Sequence, residues 1–368
     1  MSWILLSAVF LAFANGANDN FKGVATLVGS GTWSRRRALG WATSMTFIGS
    51  MVAIALAGEL LARFGGKGLV EAGVSADPVF AGSVAMGAAC TVLLASRLGM
   101  PTSTTHALIG ALVGAGLVAG GPLHFGVLGR NFVLPLLASP VLSMFGTMAL
   151  YSVFRAARRH SRVERESCFC IGGETVAVVP ALGPAEVVAY GETLSLRTGR
   201  AVSCRDRYTG RLFGLSAGAT LDTLHVFSAG AMSFARGLND TPKIAALLLV
   251  MPAFGVRAAI VLCGVAIALG GLLASRGVGR TMSHGITPMN AGQGFTSNLV
   301  TTALVLVASP FGLPVSTTHV SSGALFGLGL VRGEANGRTI VRILLTWVVT
   351  LPLAGLLAAG VLLVARST

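Results

Sequence analysis

Charged residues are scarce in this chain. They make up 11% of its 368 residues, whereas soluble domains average about 25%. Hydrophobic residues reach 53%, and apolar stretches of about 20 residues recur, each long enough to cross a hydrocarbon core about 30 Å thick. This composition excludes an ordinary water-soluble domain and predicts a protein that crosses the membrane several times.

Acidic residues are scarcer than basic ones, 13 against 27, so the formal net charge is +14. Most basic residues lie in short loops between apolar segments, where Lys and Arg indicate membrane topology. A protein that binds single-stranded nucleic acid would combine a basic groove with aromatic side chains, and the sequence has no such patch. We therefore expect lipid as its surroundings and no nucleic-acid partner.

Catalytic motifs are also missing. The sequence has no Walker loop, no His-Glu-x-x-His and no nucleophile elbow, so we predict neither an enzyme nor an ATP-driven pump. Of its five cysteines, Cys168, Cys170 and Cys204 lie in one polar stretch. Their Cys-x-Cys spacing differs from the usual two-residue spacing of zinc ligands. We expect reduced thiols there and no cofactor.

Two motifs occur twice, in the same order. Pro101-Thr-Ser-Thr-Thr-His106 reappears in the second half of the chain as Pro314-Val-Ser-Thr-Thr-His319. Upstream of each, Asn15-Gly-Ala-Asn-Asp-Asn-Phe-Lys22 aligns with Arg236-Gly-Leu-Asn-Asp-Thr-Pro-Lys243. Internal repetition of this kind predicts a duplicated fold.

The apolar segments follow the same order in both halves and include, in each, a pair of shorter pieces. Glycine, proline and hydroxyl residues separate these pieces, which favours a re-entrant or broken-helix hairpin. We predict an all-α polytopic membrane protein with repeats at 1–154 and 213–368, joined by a polar insert at 155–212. Within the insert, Thr175–Val179 and Glu186–Ala189 are typical of strands.

Arginine clusters in the loops indicate the orientation of the chain in the membrane. They all face the cytoplasm only if the second repeat is inverted relative to the first, an arrangement found in many secondary transporters. We therefore expect a multi-pass protein of the plasma or inner membrane, with the insert 155–212 in the cytoplasm.

Each Asn-Asp motif lies within an apolar segment, where a carboxylate is costly and marks a functional site. The two carboxylates are Asp19 and Asp240, preceded by Asn18 and Asn239. Carboxylate, amide and freed carbonyl oxygens suit a hard cation such as sodium, while a carboxylate alone can carry a proton. We predict an unwound helix and a cation site at each copy, with Asn15 as a further ligand. The alternative is an ordinary turn at the membrane surface.

The Pro-x-Ser-Thr-Thr-His motif has the composition of a helix start, since proline suits the first turn and hydroxyl groups cap free amides. Amides and hydroxyls at a helix N-terminus bind an anion without a formal positive charge. If both copies meet, they surround a tetrahedral anion from two sides. We predict that the two carboxylates bind substrate together with six hydroxyl residues: Ser103, Thr104, Thr105, Ser316, Thr317 and Thr318. The alternative is that these hydroxyls bond back to their own helices.

Four further residues are accessory candidates. Lys22 and Lys243 hold equivalent places and can either balance the charge of an anion or extend to the membrane interface. His106 and His319 can titrate near neutral pH, or simply pack and hydrogen-bond. Arg236 has no basic counterpart in the first half, so we expect the two sites to differ in charge.

These motifs resemble those of the inorganic phosphate transporter (PiT) family. Asn15-Gly-Ala-Asn-Asp19 is similar to its Gly-Ala-Asn-Asp signature, and the duplicated Pro-x-Ser-Thr-Thr-His is similar to its hairpin motif. The resemblance covers both halves and leaves out 155–212. It implies cation-coupled phosphate uptake, with sodium ions or protons, by alternating access to a central site.

Carried over by motif, the resemblance implies that Asn18, Asp19, Asn239 and Asp240 bind cation and phosphate and that the hairpin hydroxyls donate to phosphate. The chain departs from the family in both copies of the Asn-Asp motif. Family signatures often continue with Val-Ala-Asn-Ala, whereas Asn20-Phe21-Lys22 follows here, and the second copy begins with Arg236-Gly-Leu in place of Gly-Ala.

Two other functions are compatible with the sequence. Related proteins carry sulfate, another tetrahedral oxyanion, so a sulfate permease is the nearest alternative to a phosphate symporter. A membrane nutrient receptor without transport is the alternative from another class. A bound sodium ion and a homodimer are both compatible with the sequence.

Overall fold

The computed structural model describes residues 2–56, 58–66, 69–120, 122–160, 164–166, 170–177, 190–197, 207–209, 211–212 and 215–367. The chain divides into two compact units. One, the helical unit, comprises residues 1–155 and 221–368, and the other, the insert unit, comprises residues 156–220. The boundaries at 154/155 and 212/213 stay predictions.

Helices dominate the described chain. In order they are α1 (Ser2–Asp19), α2 (Ala25–Gly29), α3 (Arg35–Leu56), α4 (Gly58–Phe64), α5 (Ala72–Ser75), α6 (Pro78–Arg97), α7 (Thr104–Ala119), α8 (Phe125–Leu128), α9 (Leu134–His160), α10 (Ala217–Leu248), α11 (Val256–Ala274), α12 (Arg276–Arg280), α13 (Ala291–Ala308), α14 (Thr317–Arg332) and α15 (Gly337–Ser367). A 3₁₀ turn covers Lys22–Val24, and π-helical turns cover Gly129–Val133 and Thr281–Gly285.

Five stretches of the described chain are helical, long and apolar enough to cross a membrane. They are α3, α6, the continuous stretch Phe125–His160 that ends with α9, α11 and α15. A length near 20 residues is about what a bilayer core requires. The predicted helical, multi-pass membrane fold is confirmed.

The insert unit contains short antiparallel strand pairs. They are β1 (Glu164–Glu166) with β4 (Arg207–Thr209), β2 (Cys170–Ala177) with β3 (Tyr190–Arg197), and β5 (Arg211–Leu212) with β6 (Leu215–Ser216). The predicted strand at Thr175–Val179 overlaps β2 as far as Ala177. The rest of that strand, the one predicted at Glu186–Ala189, and Cys168 and Cys204 lie outside the described residues.

A helical hairpin is present in each half, as predicted. In the first half α6 packs against α7, and in the second α13 packs against α14. Ser103 caps α7 by accepting a hydrogen bond from the backbone N–H of His106, at 3.1 Å. Ser316 caps α14 in the same way through the N–H of His319, at 3.2 Å. The Pro-x-Ser-Thr-Thr-His motif is therefore a helix start in both copies.

Each hairpin packs closely on the last long helix of the opposite half. A Cβ at Gly114 of α7 would collide with the backbone of Gly355 in α15. A Cβ at Gly327 of α14 would likewise collide with the backbone of Met144 in α9. Glycine removes the side chain that would keep these backbones apart, as in small-x-x-x-small contacts of membrane helices. The two halves are thus interleaved.

A second pair of close contacts also joins a helix of one half to a helix of the other. Gly16 of α1 lies against the carbonyl oxygen of Ile267 in α11, and Gly237 of α10 lies against that of Thr46 in α3. In the alignment of the Asn-Asp motifs, Gly16 is equivalent to Gly237, and Thr46 is equivalent to Ile267. Each half therefore presents the same surface to its neighbour, as a twofold relation between the halves requires. Their inverted orientation in the membrane stays a prediction.

The helix that carries the Asn-Asp motif is interrupted in the first half only. There α1 ends at Asp19, and a turn at Asn20 and Phe21 leads into the 3₁₀ segment. In the second half α10 continues through the motif, with Pro242 inside it, so the predicted unwinding is wrong there. Gly237 permits the close approach of α3 and does not break the helix.

Candidate functional site

The two kinds of motif meet in the buried centre of the helical unit. In the first half the hydroxyl of Thr104 donates to Asp19 Oδ2 at 3.3 Å. In the second half the hydroxyl of Thr317 donates to Asp240 Oδ2 at 3.1 Å. Both carboxylates are nearly inaccessible. Each carboxylate therefore lies beside a hairpin start, in both copies, while the binding roles predicted for these residues stay predictions.

The asparagines before the carboxylates fix the Asn-Asp motifs against the hairpins. Asn18 donates through Nδ2 to Ser96 Oγ at 3.0 Å and to the carbonyl oxygen of Met100 at 3.1 Å. Asn239 donates to the carbonyl oxygen of Val315 at 3.2 Å and accepts from Ser309 Oγ at 3.3 Å. The side chains predicted as cation ligands therefore also position the hairpins.

Two lysines connect the halves across the centre. Lys22 forms an ion pair with Asp19 and donates to Thr318 Oγ1 of the opposite hairpin at 2.5 Å. Lys243 donates to Thr105 Oγ1, again of the opposite hairpin, at 2.9 Å. Both side chains are only 2% exposed, so they point inward and do not extend to the membrane interface. The hydroxyls of Thr105 and Thr318 are thereby brought to the same centre.

Arg236 makes the two Asn-Asp motifs meet. Its Nη2 donates to Asn15 Oδ1 at 2.7 Å and its Nη1 to Asn20 Oδ1 at 3.1 Å, while its Nε lies 3.6 Å from Asp240 Oδ2. Asn15 in turn donates to Asp19 Oδ2 at 3.0 Å. The Asn15 oxygen that was predicted to bind a cation thus accepts from this guanidinium. The repeat alignment placed Arg236 opposite Asn15 but did not show that the two touch.

The centre carries an excess of positive charge. Counted in their ordinary charged forms, Lys22, Arg236 and Lys243 contribute +3 and the two carboxylates −2, a formal sum of +1. In the described part of the chain, no other Asp, Glu, Lys or Arg is buried. A buried net charge is costly unless it is neutralised. Together with two hairpin helix starts, this arrangement suits an anion.

A sequence profile described as the phosphate transporter family matches residues 15–358. The chain belongs to this family. A putative phosphate permease of Pyrococcus furiosus is 30% identical over 96% of this chain and 94% of its own. A probable low-affinity inorganic phosphate transporter of Mycobacterium tuberculosis is 28% identical over 97% of this chain and 75% of its own. The resemblance stated from the motifs, and the prediction of a transporter and not an enzyme, are confirmed.

The fold of this chain is also found in a solved structure. That structure, titled the sodium-dependent phosphate transporter, superposes with a TM-score of 0.74 over the full length of both chains. Only 22% of the aligned residues are identical, so the likeness concerns the fold alone.

The two histidines of the hairpin motifs pack against each other in this family member. The rings of His106 and His319 lie edge to face with centroids 4.3 Å apart, and the His319 ring is 3.8 Å from that of Trp347. Their backbone amides complete the serine caps. Both rings pack in this environment, although His106 Nδ1 and His319 Nε2 are buried without a hydrogen-bond partner among the described residues. An accessory role of the two histidines in transport stays a prediction.

Proposed function

We propose that this chain is a phosphate symporter: it carries inorganic phosphate across the cell membrane, coupled to a sodium ion or a proton. The convergence of two capped hairpin helices on one buried, net positive centre carries the proposal. Hydroxyl groups and helix N-termini supply donors to phosphate oxygens, and the excess charge attracts the anion. The insert 155–212 lies on the cytoplasmic side.

The hydroxyls of the hairpin starts keep the capacity to bind substrate. The cap bonds at Ser103 and Ser316 use an oxygen lone pair of each serine, and the hydroxyl hydrogen is free to turn toward an anion. Thr104 and Thr317 donate to the carboxylates of Asp19 and Asp240. Phosphate would replace those acceptors with its own oxygens.

Phosphate fits this centre better than sulfate does. Phosphate still carries a proton near neutral pH and can donate a hydrogen bond, whereas sulfate can only accept. Asp19 and Asp240 lie beside the hydroxyl donors and accept hydrogen bonds. An acceptor facing the anion favours the oxyanion that donates.

Alternating access is the mode of transport that suits this burial. Asp19 is 1% and Asp240 3% exposed, so a substrate reaches them only after the halves move. The contacts of Lys22 with Thr318 and of Lys243 with Thr105 join the halves across the centre. Rocking of one half against the other would break one set of contacts at a time.

Uptake of labelled phosphate into proteoliposomes tests the proposal. With sodium and proton gradients imposed separately, at least one is expected to drive accumulation above equilibrium, and excess unlabelled sulfate is expected to compete weakly. Thr105→Val and Thr318→Val remove the hydroxyls that meet the lysines and should lower uptake about tenfold or more. Thr346→Val is the control, because that hydroxyl bonds to its own helix.

Binding of phosphate without accumulation under either gradient would contradict symport and favour a receptor. Strong competition by sulfate would instead indicate a sulfate permease.

A further inference from the structure

The ammonium group of Lys22 lies inside a cage of oxygen atoms. Its Nζ forms the ion pair with Asp19 Oδ1 and donates to Asn18 Oδ1 at 2.8 Å, to the carbonyl oxygen of Thr102 at 2.9 Å and to Thr318 Oγ1 at 2.5 Å. A carboxylate, an amide, a main-chain carbonyl and a hydroxyl thus surround one positive charge.

The cage forms because of the local chain path. α1 ends at Asp19, and the following turn brings Lys22 back over Asn18 and Asp19, which lie within one helical turn before it. Thr102 lies in the non-helical segment before α7, so its carbonyl oxygen is outside helical hydrogen bonding and accepts from the ammonium. The opposite hairpin supplies the last ligand.

A similar cage surrounds Lys243. Its Nζ donates to the carbonyl oxygen of Val315 at 2.8 Å and to Thr105 Oγ1 at 2.9 Å, and lies 3.5 Å from Asp240 Oδ1. Val315 is the repeat equivalent of Thr102, as Thr318 is of Thr105. The second cage is looser: its carboxylate, carbonyl and hydroxyl oxygens occupy positions equivalent to those of the first, while the Asn239 oxygen accepts from Ser309 instead.

Oxygens of these types are the ligands that hard metal cations take in proteins. A lysine ammonium carries the same single charge as a sodium ion and offers three donors to such oxygens. A sodium ion placed among these oxygens would coincide with the ammonium and be repelled by it. The cage therefore has room for one cation, and the chain supplies it.

Lysine is rare in this sequence, yet lysines occupy both oxygen cages. The chain has 3 lysines among 27 basic residues, and two of them are the buried residues of these cages. Burying a charge is costly unless it is paired and hydrogen-bonded. Both cages provide that pairing at equivalent positions of the duplicated fold.

We infer that Lys22 and Lys243 are built-in cations whose ammonium groups fill the oxygen cages at the phosphate site, so that phosphate binds without sodium ions. The inference rests on the proposed phosphate transport and specifies which cation completes the site. The charge that assists anion binding is covalently attached, so it stays behind when phosphate leaves. A gradient that drives uptake must then act through a proton or through an ion bound outside these cages.

Binding of labelled phosphate to the purified full-length protein in detergent tests this inference, in sodium buffer and in choline buffer of equal ionic strength. The wild-type dissociation constant is expected to agree within about twofold between the buffers. Lys22→Ala empties the cage, so its affinity in choline should fall at least about tenfold. Sodium should restore much of that loss by entering the vacated oxygens.

Lys22→Met is the matched variant, because its side chain occupies the cage without charge. It should lose affinity to a similar extent, and sodium should not restore it. Arg257→Ala, at an exposed position near the start of α11, should behave as wild type in both buffers. Lys243→Ala repeats the test in the second cage, and size-exclusion profiles show which variants fold.

Three results would overturn the inference. One is wild-type phosphate binding that requires sodium, which would leave phosphate transport intact and remove only the built-in cations. Another is the absence of sodium rescue in both folded alanine variants. If the wild type binds phosphate in neither buffer, the proposed function fails and this inference fails with it.

Discussion

Asp19 and Asp240 are equivalent in the duplicated sequence, but they neutralise different partners. Asp19 pairs with Lys22 and accepts from Asn15. Asp240 lies between Arg236, at 3.6 Å, and Lys243, at 3.5 Å. Asp19 therefore forms one close ion pair, with Lys22, whereas Asp240 forms two longer ones, with Arg236 and Lys243. The expected difference in charge between the two sites is present.

Asp19→Asn and Asp240→Asn are each expected to abolish phosphate uptake. The amide keeps the shape of the side chain, but it leaves a buried cation without its counter-charge, and breaking such a pair costs about 3–5 kcal/mol. Proteoliposome uptake together with thermal unfolding in detergent would separate lost transport from lost folding. Glu71→Gln, an exposed change of the same kind, is the control, and near-normal uptake in either aspartate variant would contradict the assigned roles.

At the scale of the helices, the close glycine contacts determine how the hairpins are seated. A Cβ on Gly114 would collide with the backbone of Gly355, whereas a Cβ on Gly40 of α3 would meet no heavy atom of another helix within 4 Å. The first glycine is required by packing between α7 and α15, and the second is not. Replacement of glycine by alanine should therefore destabilise the protein at Gly114 but not at Gly40.

Gly114→Ala is expected to lower the thermal midpoint in detergent, because overpacking of a close contact typically costs about 1–3 kcal/mol. Gly40→Ala should leave the midpoint unchanged or raise it, since alanine favours a helix by about 1 kcal/mol over glycine. Fluorescence-detected size exclusion after heating measures both. Equal midpoints for the two variants would show that the contact does not limit stability.

Local signals predicted the helix starts well, and long-range contacts explain what was missed. Each cap, at Ser103 and at Ser316, joins residues within a single motif, so the sequence motif alone indicated it. The unwinding predicted around Gly237 is wrong because that glycine serves a contact with Thr46, in the other half of the chain. The meeting of Arg236 with Asn15 also depends on how the halves pack, which no local pattern specifies.

For the molecule as a whole, equivalent contacts run from each half to the other, so a twofold operation relates the two halves. The contact of Gly16 with Ile267 reappears as that of Gly237 with Thr46. If the duplication is inverted, equivalent loops must lie on opposite sides of the membrane. Ser34 and Gly255 are equivalent in the same alignment, each just before a long helix, and both are exposed.

Single cysteines at these loops test the inversion. In a background with the five native cysteines replaced, Ser34→Cys should react with a membrane-impermeant maleimide only from the cytoplasmic side, next to the arginines of the α3 start. Gly255→Cys should react only from the outside. Labelling in right-side-out and inverted vesicles makes the comparison, and reaction of both from one side would exclude the inverted duplication.

The interleaving of the halves has a consequence for synthesis and membrane insertion. α7 is made early, but its close partner Gly355 belongs to α15, which leaves the ribosome only after every other helix of the helical unit described above. The first hairpin therefore cannot form this contact until nearly the whole helical unit has been translated. A chain that stops before α15 therefore carries the hydroxyls of both hairpins but lacks the helix against which α7 packs.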